Sequence, residues 1–162
     1  MTRRCVCPAA LLTAAALVAA PLSAQAATLV VDANGTGDYL AVQPALNAAA
    51  DGDIVLVLPG TYSRTDSINL SFGSKNIVLR SAGGAAVTII DCENAASNRA
   101  IYFNGGNQDS TCVVDGFTIR NGRLSGVGEP GAGIRCESAS PKLVNLIVKN
   151  NTSALSYGGG LY

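Results

Sequence analysis

VDGFTIRNG (residues 114–122) recurs 29 residues later as LVNLIVKNN (residues 143–151), with aliphatic and polar positions in the same order. GAGI (residues 131–134) likewise returns after 27 residues as GGGL (residues 158–161). Internal repeats of about 20 to 50 residues indicate structural units that stack on one another, because one unit cannot bury its own apolar face. The repeats therefore predict a solenoid.

Short runs rich in β-branched and aliphatic residues occupy the rest of the chain, and Gly, Asn, Asp or Ser bounds each of them. These runs are residues 29–31, 54–58, 77–80, 87–90, 100–103, 117–120, 133–136 and 146–149. IVL at 54–56 recurs at 77–79, an offset of 23. Short strands separated by turn-rich segments favour an all-β chain. We predict a parallel β-helix, a β-solenoid of about four coils.

One segment, between residues 38 and 52, has helical periodicity. Its apolar positions, spaced i, i+3, i+4 and i+7, are Val42, Ala45, Leu46 and Ala49. Pro44 lies early, where the first turn of a helix tolerates it, and Asp51-Gly52 predicts the end of the helix. We expect this helix to cap the N-terminal end of the solenoid.

The other end of the sequence, residues 158–162, falls within a repeat strand and shows no polar capping segment. An uncovered strand edge exposes backbone donors and acceptors and invites pairing. We expect an uncapped or truncated C-terminal end, and end-to-end self-association as one partner interaction.

Residues 1–26 have the pattern of a signal peptide. Arg3 and Arg4 precede an apolar run, residues 9–22, and small residues flank position 25 before the expected cleavage after Ala26. The run is short for a bilayer of about 30 Å, and no later segment is long enough to span, so we expect no membrane span after cleavage. The predicted location is the periplasm, the cell surface or the extracellular space. Residues 27–53 would form the first strand and cap, and residues 54–162 the coils of the same domain.

Composition excludes several kinds of site. The chain has 11 basic and 11 acidic residues and no His, so a nucleic-acid-binding patch, a Ser/His/Asp triad and a His-based zinc site are not expected. After removal of the leader, Cys92, Cys112 and Cys136 remain. An odd number allows at most one internal disulfide, and burial as unpaired core residues is the favoured interpretation.

The region GDYLAVQPALNAAADGD (residues 37–53), followed by PGTY (residues 59–62), resembles the opening of pectin-lyase-like β-helix proteins, including pectin esterases. DGFTIRNG (115–122), GAGI and GGGLY (158–162) are similar to repeats of exported bacterial β-helix proteins of the polymorphic outer-membrane type. The resemblance implies a right-handed helix. It implies no activity, because the Asp, Asp and Arg motifs of the esterases are not found, and Gln108-Asp109 matches their Gln-Asp pair without its surroundings.

Charged residues on or beside strands are the candidates for a functional groove. In the enzymes that the chain resembles, catalytic and binding side chains project outward from successive coils. The corresponding candidates are Arg80, Asp91, Asp115, Arg120 and Arg135. The alternative is that these residues are solvated, or that they satisfy turn amides. Contacts to a carbohydrate would otherwise depend on Tyr102, Tyr157 and Tyr162.

Two further patterns in the sequence concern a metal site and an internal asparagine ladder. Residues 32–38 alternate oxygen-bearing side chains with a glycine, as in a calcium loop, but Gln43 stands where that loop needs Glu, so no cofactor is expected and calcium is a minor alternative. Asn121, Asn150 and Asn151 lie at related turn positions, where amides could bond from one coil to the next.

Two functions remain open. The first is an exported or cell-surface β-helix scaffold, adhesin or glycan-binding module with no complete catalytic site. The second is the N-terminal part of a polysaccharide lyase or pectinesterase-like enzyme acting on acidic glycans. The expected partner is a polysaccharide or a cell-surface glycan.

Overall fold

The computed structural model describes residues 25–162, in which short strands and one short helix form a β-solenoid of about four turns. The predicted leader lies almost wholly outside these residues. No helix within the described range is long and apolar enough to cross a membrane. The elements are β1 (Thr28–Val31), α1 (Val42–Ala48), β2 (Ile54–Val57), β3 (Gly60–Tyr62), β4 (Leu70–Ser71), β5 (Val78–Ser81), β6 (Thr88–Asp91), β7 (Ile101–Phe103), β8 (Val113–Asp115), β9 (Thr118–Arg120), β10 (Arg123–Leu124), β11 (Ile134–Cys136), β12 (Lys142–Val144), β13 (Ile147–Lys149) and β14 (Thr152–Ser153).

The strands stack into four parallel sheets. Sheet A has the order β1-β2-β5-β8-β12, sheet B β13-β9-β6-β3, sheet C β11-β7-β4 and sheet D β10-β14. Every neighbouring pair of strands is parallel, and each coil contributes one strand to a sheet before the chain turns into the next sheet. The predicted all-β, parallel β-helical architecture is confirmed.

The strand register explains the sequence repeats and corrects one of them. Val114 pairs with Leu143 and Ile119 with Val148, both at the predicted offset of 29. Val55 pairs with Leu79, so the offset between β2 and β5 is 24 and the predicted 23 is wrong. The repeated IVL sequence does not give the register. A shift of one residue moves every side chain to the opposite face of a strand, so identical residues need not pair. Only the offset of 24 places buried Val55 beside buried Leu79.

The core is a set of columns of inward side chains, one from each coil. In sheet A the column Val55, Leu79 and Val114 is fully buried, and in sheet C Leu70, Ile101 and Ile134 are fully buried. Full burial of one such side chain contributes about 1.5–3 kcal/mol. The columns therefore hold adjacent coils together, while alternate residues of the same strands face outward.

The N-terminal end is capped as predicted. Helix α1 buries Val42, Ala45 and Leu46 against the first coil, and the Ala49 N–H donates to the Ala45 carbonyl at the end of the helix. Lys75 Nζ donates to the carbonyls of Leu46 and Ala49, at 2.6 and 2.7 Å, and so satisfies acceptors that a helix end leaves open.

The asparagine turns form coil-to-coil bonds, but not a ladder of stacked amides. Asn121 and Asn150 have φ of 61° and 57°, the left-handed region that Asn tolerates better than most residues. Asn121 Nδ2 donates to Asp91, and Asn151 bridges the Gly122 N–H and the Ile119 carbonyl. These bonds fix the turns between sheets B and D.

Candidate functional site

A column of outward side chains on sheet C brings together an arginine and two tyrosines. In β7 and β11 the residues Ile101 and Ile134 point inward, so Tyr102 and Arg135, paired in register, share the outer face. Tyr162 continues the column on the next coil, because its N–H donates to the Ile134 carbonyl at 3.0 Å and its own carbonyl accepts from the N–H of Cys136. The outer column is therefore Tyr102, Arg135 and Tyr162.

Two guanidinium groups lie over the ring of Tyr102. The Arg99 and Arg135 guanidinium carbons are 4.9 and 5.0 Å from the ring centroid, within the range of a cation–π interaction. Arg99 Nε donates to the Gly131 carbonyl at 2.7 Å, and Nη2 donates to Pro130 at 2.9 Å. Arg99 is thereby fixed to the loop of the next coil.

Glu137 completes this cluster. Its carboxylate is 2.9 Å from Arg135 Nη2 and accepts the hydroxyl proton of Tyr102. That hydrogen bond raises the pKa of Tyr102. Burial, and then the charge of Arg135, lower the pKa of Arg99. The arrangement is a partly exposed, positively charged surface built on an aromatic ring.

An open apolar groove adjoins the cluster. It is lined by Val127, Gly128, Leu155, Ser156 and Tyr157, which belong to the loops that follow β10 and β14 on neighbouring coils. The Tyr157 side chain is 82% exposed, and that of Val127 is 85% exposed. The same loop carries one wall of the groove and the carbonyls of Pro130 and Gly131 that hold Arg99. The Gly131 N–H also lies 3.4 Å from the Tyr157 carbonyl, so the groove lies next to the cluster.

The five strand-borne candidates lie on three sheets and all take part in ion pairs. On sheet A, Arg80 Nε is 3.3 Å from Asp115, its partner in register. On sheet B, Arg120 Nε is 2.7 Å from Asp91, again in register. Arg135, on sheet C, pairs with Glu137. The structure brings the candidates together as two cross-strand pairs and does not bring all five into one cluster.

Asp91 is the most buried of these acids. Burial alone would raise its pKa, but the Glu93 amide, the Asn121 amide group and the Arg120 guanidinium together hold the pKa below its usual value. Asp115 likewise accepts a bond from Asn145 Nδ2 at 2.8 Å. Both carboxylates are therefore used to tie neighbouring coils together.

In the calcium-like loop, residues 32–38, the Asp32 carboxylate accepts hydrogen bonds from donors of the same loop. Asp32 accepts bonds from the Asn34 N–H at 2.9 Å and from the N–H and hydroxyl of Thr36, whose hydroxyl bond contributes most to lowering the pKa of Asp32. Residues 25–162 contain no group of three or more His, Cys, Asp or Glu side chains placed to hold a metal.

Cys92, Cys112 and Cys136, the cysteines within residues 25–162, are free thiols in the structure. Burial raises the pKa of Cys92 to about 12 and that of Cys112 to about 11. A thiol that stays protonated is a poor nucleophile. Cys92 and Cys112 are completely buried, and we interpret them as small apolar groups of the core.

Sequence reasoning named Tyr102, Tyr162 and Arg135 without connecting them, and it missed Arg99 and Glu137. Strand alternation could have placed Tyr102 and Arg135 on one face once the register was known. Arg99 lies outside any strand, and no local pattern marks its contact with the next coil. The side chains of Gln108 and Asp109, the Gln-Asp pair of the sequence, have different partners. Gln108 Nε2 donates to the Gly73 carbonyl, and Asp109 accepts from the Thr111 N–H.

No model of a known protein family matches the chain, and no curated protein matches it. The structure shows a parallel β-solenoid of about four turns, and the likeness to the pectin-lyase-like superfamily rests on the sequence motifs alone.

Proposed function

We propose that this protein is an exported β-helix scaffold whose sheet C face and adjoining groove bind a glycan without catalysing a reaction on it. The observation that carries the proposal is the column Tyr102, Arg135 and Tyr162 beside the exposed Tyr157. Aromatic rings offer apolar faces to sugar rings, and the hydrogen-bonded coils hold Tyr102 and Tyr162 at a fixed spacing. Successive coils lie about 4.8 Å apart, so the site is extended along the stack.

Three carboxylates, each held by partners within the protein, support binding over catalysis. The Asp91–Arg120 and Arg80–Asp115 pairs occupy the carboxylates that a lyase or esterase would need as base or nucleophile. Glu137, the carboxylate in the column, is held by Arg135 and Tyr102. An enzyme acting on acidic glycans remains the second function suggested by the resemblance, and turnover by residues 27–162 on a uronate polymer would establish it over the scaffold.

Export is part of the proposal and rests on the sequence of residues 1–26. Cleavage after Ala26 would make Ala27 the first residue, and the Ala27 nitrogen lies 2.8 Å from Asp53 Oδ1. The mature ammonium group would then form an ion pair with Asp53. Expression of the full chain in a bacterium, followed by mass spectrometry of the periplasmic and secreted fractions, tests this. Intact Met1 protein in the cytoplasm would contradict export.

Glycan binding is tested with residues 27–162 on a panel of neutral and acidic polysaccharides. Tyr157→Ala and Tyr162→Ala should each weaken binding roughly tenfold, as truncating an interface aromatic commonly costs more than about 1 kcal/mol. Val87→Ala, at another half-exposed apolar residue, is the matched control and should bind as the parent does. A panel with no binding, or equal losses in all three variants, would refute the site.

A further inference from the structure

Arg99 makes no direct ion pair within residues 25–162, although the charges of Glu129 and Glu137 lie near it. Its hydrogen bonds go to the neutral carbonyls of Gly131 and Pro130. Among the ion pairs found in residues 25–162, none within 4.0 Å involves Arg99. The nearby carboxylate of Glu129 accepts the Gly126 N–H in its own loop. A partly buried guanidinium that makes no direct ion pair is costly, and an anion bound directly to it would lower that cost.

A second guanidinium converges on the same place. Arg135 lies over the ring of Tyr102 as Arg99 does, and its charge lowers the pKa of Arg99, so the two guanidinium groups are close enough to repel each other. Glu137 pairs directly with Arg135. Arg135 Nε is also buried without any hydrogen-bond acceptor. Each guanidinium has five N–H donors, and the bonds described use two on Arg99 and one on Arg135.

The remaining donors fit one class of ligand. Arginine pairs recognise carboxylate, sulfate and phosphate groups because their planar N–H forks match two oxygens at once. Half of the Glu137 side chain is exposed, so this carboxylate acts as an internal anion that an external one can replace or supplement.

We infer that Arg99 and Arg135, on the face of Tyr102, form a binding site for an oxyanion. The site needs no sugar: a free anion and the acidic group of a larger molecule would share it. Glycan binding through Tyr157 and Tyr162 can therefore fail while this site stands, and the reverse also holds.

Isothermal calorimetry of residues 27–162 with inorganic sulfate, phosphate and acetate, at ionic strength held constant with chloride, tests the site. Arg99→Gln should weaken oxyanion binding about tenfold or more, because a charge-assisted hydrogen bond and a net charge are lost. Arg123→Gln, at an exposed arginine of β10, is the matched control and should leave binding unchanged.

Glu137→Gln should change the oxyanion affinity in the opposite direction. It therefore distinguishes loss of the site in Arg99→Gln from a folding defect in that variant. It removes the competing negative charge and should tighten oxyanion binding several-fold. A role of the cluster in stability alone predicts no such gain. Absence of oxyanion binding to the parent protein, equal affinity in Arg99→Gln and Arg123→Gln, or weaker binding in Glu137→Gln would each overturn the inference.

Discussion

The two ends of the described stack use the same inward pattern of apolar residues with different results. At the N-terminal end, Val31, Val42 and Leu46 are completely buried, because α1 lies across the first coil. On the last described coil, Leu143 and Val148 occupy equivalent inward positions and stay only partly buried. The difference shows that burial in a solenoid depends on the neighbouring layer and not on the strand's own sequence.

The backbone shows the same contrast. The outer edge of β1 is satisfied, since the Val30 carbonyl accepts from the Tyr39 N–H at 3.0 Å and the Val30 N–H donates to Asp38 at 2.8 Å. The outer edges of β12 and β13 meet no strand within residues 25–162. Within residues 25–162, α1 and its flanking loop therefore cover one edge of sheet A, while β12 and β13 have a partner strand on one side only.

The largest expected effect is the loss of unfolding free energy when a core leucine is truncated at either end of the stack. Leu46→Ala leaves a cavity between α1 and the first coil and should lower the free energy of unfolding by about 3 kcal/mol. Leu143→Ala removes the same atoms from a partly buried position and should cost less than half of that. Urea denaturation of both variants measures the difference. Equal losses would show that the last coil is as well packed as the capped one.

A smaller effect is expected from the lysines at the two ends. Lys75→Met removes the donor to the carbonyls at the end of α1 and should lower the free energy of unfolding by about 1.5 kcal/mol, the value of a charged hydrogen bond. Lys142→Met, at an exposed residue of β12, should change it by less than about 0.5 kcal/mol. Thermal unfolding at two salt concentrations checks both. A loss of the same size in Lys142→Met would contradict the capping role.

Most of the fold follows from the sequence because repeats and strand alternation are local patterns. All eight predicted runs become strands, each within one residue of its expected start. The strands that were missed are short or carry atypical residues, such as β3 with its glycine and β10 with an exposed arginine. Two-residue strands owe their conformation to the coil beside them, which a single pass along the sequence does not reveal.

The candidate site could be predicted only in part. The alternation of β7 and β11 exposes Tyr102 and Arg135. Their adjacency depends on a register offset of 33 residues, and no sequence repeat indicates that offset. Arg80, Asp91, Asp115 and Arg120 were named for their charge, and the prediction that they line a groove stays a prediction. Their cross-strand pairing follows from the register, which charge alone does not specify.

The smallest expected effect is a loss of stability at low pH, which should occur at the capped end and not at the last coil. Asp53 accepts the N–H groups of Ala50 and Ala27, both at 2.8 Å, and these bonds hold its pKa below the usual value. A carboxyl whose pKa is lower in the folded state stabilises the fold above its unfolded pKa, near about 4, and loses that contribution as the pH falls through the folded value. Residues 142–162 contain no acidic residue.

Amide hydrogen exchange across this pH range, corrected for the intrinsic rate, should therefore show loss of protection at the capped end before the last coil changes. In Asp53→Asn the pH-dependent part of that loss should shrink, since the side chain no longer titrates. Protection of the Ala50 amide that is independent of pH in the parent protein, or a last coil that responds first, would show that acid sensitivity does not arise from Asp53.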